Sequence, residues 1–156
     1  MDAEIINPFL IATQNVFKTM LSTQINLGKP SVKTNNLTPG DVTGVTGFAG
    51  DKKGTFTLSF CGKSAAYIYK SMIGEDVSTI NSDVVDAIGE LTNIISGQVR
   101  AELEKTGIHL SATLRTVVVG QNVAISSVTV LPAIALPASF DDGGTTREFF
   151  IGFSFE

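Results

Sequence analysis

The chain is expected to fold as α/β (α+β type), a single domain over residues 1–156 with a largely antiparallel sheet covered by three helices. Three observations carry that expectation. At 156 residues and 43% hydrophobic content there is enough apolar material for one sizeable core. Three segments space their apolar residues three and four apart, the mark of a helix with one buried side. Most of the rest is β-branched or aromatic and is cut by short turn sequences, as antiparallel strands are. No linker, low-complexity tract or internal period divides the chain.

Taken in order, residues 5–22 place Phe9, Ala12, Val16 and Met20 on one side of a first helix, with Asn7 as N-cap and Pro8 as its first helical residue. Gly28, Pro30, Pro39 and Gly40 then mark a polar connector. The runs "VTGVTGFAG" and "TFTLSF", separated by "DKKG", form a hairpin. In "GKSAAYIYKSMIG", Ala65, Ile68 and Met72 share one side of a second helix that stops at Gly74, a residue suited to a left-handed C-cap. Ser82 to Lys105, ended by Gly107, makes the third and longest helix. The runs "TLRTVVVG", "NVAISSVTVLPAIAL" and "REFFIGFSF" are strand material, with turns at Gly120 to Asn122 and at the "DDGG" of Asp141 to Gly144.

Composition narrows the function. A net charge of -4, with eleven basic residues scattered in ones and twos, provides no stripe able to neutralise a phosphate backbone, so nucleic acid is not an expected partner. One cysteine, Cys61, makes no internal disulfide and is expected to pack as a small hydrophobe. No charged segment followed by an apolar one opens the chain, and no apolar run reaches the roughly 20 residues of a membrane span. The expected location is cytoplasmic, with no membrane association.

The longest helix carries the informative surface. At 100° per residue, Val84, Ile88, Leu91, Ile95 and Val99 fall on one stripe that should lie on the sheet. Opposite them fall Asp86, Glu90, Asn93, Gly97, Arg100 and Glu104, with Gly89 and Ala101 at the margins. Glu90 and Asn93 stand three apart, so their Cβ atoms are about 5 to 6 Å from each other on one turn. A glycine inside a helix costs about 1 kcal/mol against alanine, and two lie beside this pair. Two explanations are open. Either Glu90 and Asn93 are merely solvated and the glycines accommodate close packing inside the fold, or the glycines admit a partner surface to the helix backbone; position on the outer side weakens the first explanation more for Gly97 than for Gly89.

The segment "DAIGELTNIISG", with Glu90, Asn93 and Gly97 in an ExxNxxxG pattern, resembles the CheC/CheX family of bacterial chemotaxis phosphatases, on its CheX side. The leading helix "NPFLIATQNVFKTM", the hairpin, the phrase "TVVVG" and the final aromatic strand extend the resemblance over most of the chain. Members of the CheC type carry the Glu and Asn pair on two helices. The first helix here has no glutamate three before Asn15, so one site per chain is implied.

The resemblance implies hydrolysis of the aspartyl phosphate of a CheY-like response regulator. Glu90 and Asn93 would be the catalytic pair, and Asp86, Gly89, Gly97 and Arg100 would be partner-binding. It implies a homodimer, to which the uncharged stretch "NVAISSVTVLPAIAL" lends support because it would be hazardous as a free edge. It implies no cofactor of the chain's own, the regulator supplying Mg²⁺. Alternatives from other classes are a regulator or motor-switch binding module that uses the same helix without turnover, and a structural dimerisation domain.

Other signals are weaker. "GKPS" at Gly28 to Ser31 lacks the spacing of a phosphate-binding loop and has Pro30 after the lysine. His109 has no nucleophile motif around it and is expected at the surface or as a cap. One Cys and one His make no zinc site, so no metal site is expected.

Overall fold

A computed structural model of the chain describes residues 3–35, 37–125 and 133–155. The elements run α1 (Ala3–Leu21), β1 (Ile25–Leu27), β2 (Ser31–Lys33), β3 (Val42–Gly50), β4 (Gly54–Phe60), α2 (Gly62–Ile73), α3 (Ser82–Lys105), β5 (Leu110–Val119), β6 (Ala133–Asp142) and β7 (Thr145–Phe155). Among the described residues all strands join one sheet in the order β1-β6-β7-β4-β3-β5, with β2 also on β6, and every pairing is antiparallel. No helix among the described residues is long and apolar enough to cross a membrane.

Alternate strand residues point to the helices and close the core. Phe56, Leu58 and Phe60 of β4 and Phe149, Ile151 and Phe153 of β7 are at most 2% exposed. Phe9 of α1 meets the rings of Phe48, Phe56 and Phe153 at centroid distances of 5.7, 4.8 and 5.6 Å. Such edge and tilted contacts suit the quadrupoles of aromatic rings. The hairpin of β3 and β4 runs from Val42↔Phe60 to Phe48↔Gly54, as the "DKKG" turn leads one to expect.

Four local expectations require correction. First, α1 begins at Ala3, so Asn7 does not cap it and Pro8 lies inside the helix. The missing Pro8 N–H forgoes one bond, to Glu4, and burial of Ile5 and Phe9 on either side keeps the helix continuous. Second, Met20 is 42% exposed. The buried stripe drifts toward Phe17 and Leu21, where Phe17 stacks on Phe149 at 5.0 Å. Third, the connector contains β1 and β2, which pair with β6 through registers such as Asn26↔Ser139 and Val32↔Ile134. Three residues are too few for a period-2 pattern to show. Fourth, Cys61 is exposed: it is the extended N-cap of α2, with its Sγ 3.1 Å from Ser64 Oγ.

The end of α2 and both ends of α3 agree closely with the sequence. Gly74 has φ 89° and its N–H bonds to Lys70 O. Asn81 caps α3 by accepting from Val84 N at 3.0 Å. At the other end Gly107 N bonds Glu104 O and Ile108 N bonds Leu103 O, with Gly107 at φ 87°, which is a Schellman motif. The second hairpin turn is tighter than "DDGG" implies. Asp141 and Asp142 belong to β6, and Gly143 and Gly144, both with positive φ, form a two-residue loop. Of "NVAISSVTVLPAIAL", Ala133 to Leu136 enters β6, and 126–132 lie outside the described residues.

α3 lies close on β3. A Cβ on Gly44 would run into Thr92 Oγ1, and Ser96 Oγ bonds Thr46 Oγ1 at 3.1 Å. These contacts fix which side of α3 is left outward.

Candidate functional site

Val84, Ile88, Leu91, Ile95 and Val99 are each no more than 1% exposed, so the apolar stripe faces inward along four successive turns. Asp86, Glu90, Asn93 and Gly97 are exposed in consequence, and Gly89 and Arg100 are half-buried at the flanks. Glu90 and Asn93 stand one turn apart in unbroken helix, so their side chains leave the surface together. They line a groove between α3 and β5 whose other walls include Asp86, Gly89, Ile94, Arg115 and Val117.

The two glycines separate cleanly. A Cβ on Gly89 would lie 3.0 Å from Val117 Cγ2, so this glycine allows α3 and the edge strand β5 to approach and keeps the groove narrow. A Cβ on Gly97 would meet nothing within 4 Å. Internal packing accounts for Gly89 and, among the described residues, leaves Gly97 unexplained.

Arg100 contributes to architecture: its Nε donates to Leu110 O at 3.0 Å, tying the last turns of α3 to the start of β5. Arg115, which sequence reasoning did not single out, lies across the groove from Glu90 and Asn93. Its signal was hidden because the β3·β5 pairing steps from Gly47↔Leu114 to Phe48↔Ala112, and simple alternation along "LSATLRTVVV" cannot reveal the extra residue that turns Arg115 to this side.

The chemistry available is limited and specific. Glu90 supplies an anionic acceptor, and Asn93 supplies a neutral group with one acceptor oxygen and two donor hydrogens. No three His, Cys, Asp or Glu side chains gather as a possible metal site among the described residues. His109 is exposed, with Nδ1 3.7 Å from Glu104, away from this groove. Asp142 pairs with Arg147 Nε at 3.1 Å, and Asp141 accepts from Gly144 N, so the "DDGG" acids stabilise their own turn.

Comparison with known proteins places the same architecture in a defined group. The profile described as "Chemotaxis phosphatase CheX" matches residues 42–139. The CheY-P phosphatase CheX of Thermotoga maritima is 30% identical over 140 residues, covering 89% of each chain. The crystal structure of a chemotaxis protein CheX from Desulfovibrio desulfuricans superposes with a TM-score of 0.83 at 40% identity, covering 98% of this chain and 99% of that one. A CheC-like superfamily protein from Shewanella sp. PV-4 gives 0.86 at 33% identity, covering 100% and 99%.

Proposed function

The chain belongs to the CheX family of chemotaxis phosphatases, and from that membership we propose that it dephosphorylates the aspartyl phosphate of a CheY-like response regulator by inserting α3 into the regulator's active site. The observation that carries the proposal is the joint exposure of Glu90 and Asn93 on one turn, beside a glycine whose missing side chain serves no contact among the described residues. In this account the regulator contributes its own lysine and Mg²⁺, which neutralise the charge of the transferring phosphoryl group. What is left to supply is the direction of the attacking water.

Asn93 fits that task. Its carboxamide can hold a water by accepting and donating hydrogen bonds while adding no negative charge against the phosphoryl oxygens. A carboxylate in its place would repel them. Glu90 takes the complementary part, a charge-assisted bond to the regulator's lysine that sets how deeply and at what angle the helix enters. Gly97 lets a partner surface reach the helix backbone on the same outward side. Asp86, Gly89 and Arg100 border the docking surface, the last two also serving internal packing.

The experiment is the lifetime of a phosphorylated CheY-like receiver from the same genome, followed by phosphate release with and without the protein. Saturable acceleration is expected. Tight association with the beryllofluoride-activated receiver and an unchanged lifetime would refute the phosphatase and leave a binding module. The expected homodimer belongs to the same proposal. The part of "NVAISSVTVLPAIAL" that enters β6 lies between β7 and β1 with β2, so it is no free edge; among the described residues it is β5 that ends the sheet, and pairing with a second copy would cover it. Light scattering of a monomer at micromolar concentration would count against it.

A further inference from the structure

β5 carries an irregularity whose effect falls on the groove. Along the β3·β5 ladder the register runs Val42↔Val119 to Gly47↔Leu114 and then steps to Phe48↔Ala112, so Thr113 is the extra residue of a bulge. A bulge inverts the alternation beyond it. Before it, Leu110 and Ala112 face the helices, opposite Gly50 and Phe48; after it, the helix side passes to Arg115, Val117 and Val119. The assignment is fixed by Thr46, the partner of Arg115, whose hydroxyl accepts from Ser96 of α3. Without the extra residue Leu114 would face α3 and Arg115 would point to the other side of the sheet.

The side that Arg115 shares with Val117 is the wall of the groove holding Glu90 and Asn93. Arg115 is exposed and, among the described residues, forms no ion pair, although the acids Asp86 and Glu90 line the same groove. A guanidinium on an edge strand could have been left to solvent on the other side of the sheet. Here backbone regularity is given up in a place that aims it beside the proposed site.

We propose that Arg115 is a docking residue for the phosphorylated regulator, forming a forked ion pair with one of the regulator's carboxylates while Glu90 engages a cation; the inference rests on the phosphatase proposal above. Two contacts of opposite sign on facing walls of a groove define an orientation, because a partner turned around would set like charges against each other. A carboxylate is the anion expected. On that proposal the phosphoryl group is already compensated by the regulator's own lysine and metal, and the planar fork of arginine matches a carboxylate.

The test is steady-state dephosphorylation of the phosphorylated receiver, together with binding of the beryllofluoride-activated receiver, across wild type and Arg115→Ala, Arg115→Lys and Arg115→Glu. Arg115→Ala is expected to raise KM and Kd about fivefold or more, with kcat at saturation kept and an effect that shrinks as salt rises. Arg115→Glu should be worse, Arg115→Lys should recover only part of the loss because it restores the charge and not the fork, and all three should melt like wild type because the side chain is exposed. One Asp→Lys or Glu→Lys substitution near the receiver's phosphorylation site should restore binding to Arg115→Glu. Wild-type KM and salt dependence in Arg115→Ala, with wild type active, would overturn this role alone. Failure of every receiver substitution to restore binding would overturn the carboxylate. An inactive wild type would overturn the role together with the phosphatase.

Discussion

Along α3 the inward residues Val84, Ile88, Leu91, Ile95 and Val99 are all but completely buried, whereas Asp86, Glu90, Asn93 and Gly97 on the outward side are exposed. The inward side is explained entirely by contacts within the chain. Each of its residues joins the single core that contains Phe48, Phe56 and Phe153. The outward side lacks such an account. A solvated helix surface of this length gains from lysine, arginine and alanine, and here it holds a carboxylate, a carboxamide and a glycine with open space around it. One helix thus has a side that folding explains and a side for which contacts among the described residues give no account.

That contrast can be broken by substitution. The largest effect on stability belongs inside: Leu91→Ala removes a fully buried side chain and should destabilise the fold by about 2 to 5 kcal/mol, read from urea or thermal unfolding. Any loss of activity should then follow the folded fraction. Next in size is Gly97→Ala, which should stabilise the fold by up to about 1 kcal/mol, since helix propensity improves and the new methyl meets nothing. The same variant should bind the activated receiver more weakly. Stability and affinity moving in opposite directions would mark Gly97 as a contact, and affinity unchanged would return it to the solvated surface. The smallest effect is expected at Gly89→Ala, where the gain in propensity is offset by Val117 having to yield a few tenths of an ångström. Its net change in melting temperature should be less than that of Gly97→Ala.

The sequence made the two sides of α3 readable because 3.6-residue periodicity holds over 24 residues, with Gly107 after it as a stop signal. Glu90, Asn93 and Gly97 were legible for the same reason, since a regular helix turns spacing into direction. Where regularity fails, so does reading. β1 and β2 are too short to show alternation, and their placement depends on pairing with β6 more than a hundred residues away. Pro8 looked like a helix start because its local preference was visible and the burial of Ile5 was not. Cys61 looked like core because its type is often buried, but its backbone serves as a cap at the lip of the sheet. Arg115 was missed because a bulge at Thr113 reverses the side on which it emerges, and a bulge leaves no trace in apolar spacing.

The most direct test of the outward side is the turnover of Asn93→Ala at saturating phosphorylated receiver. If Asn93 holds the attacking water, its contribution is made in the transition state, so kcat should fall by about 10²-fold or more while affinity for the beryllofluoride-activated receiver and the melting temperature stay near wild type. Glu90→Ala, by contrast, should act mainly on association, with Glu90→Lys weaker still. Full turnover by Asn93→Ala at saturation would contradict the account, and the water-positioning role would be withdrawn.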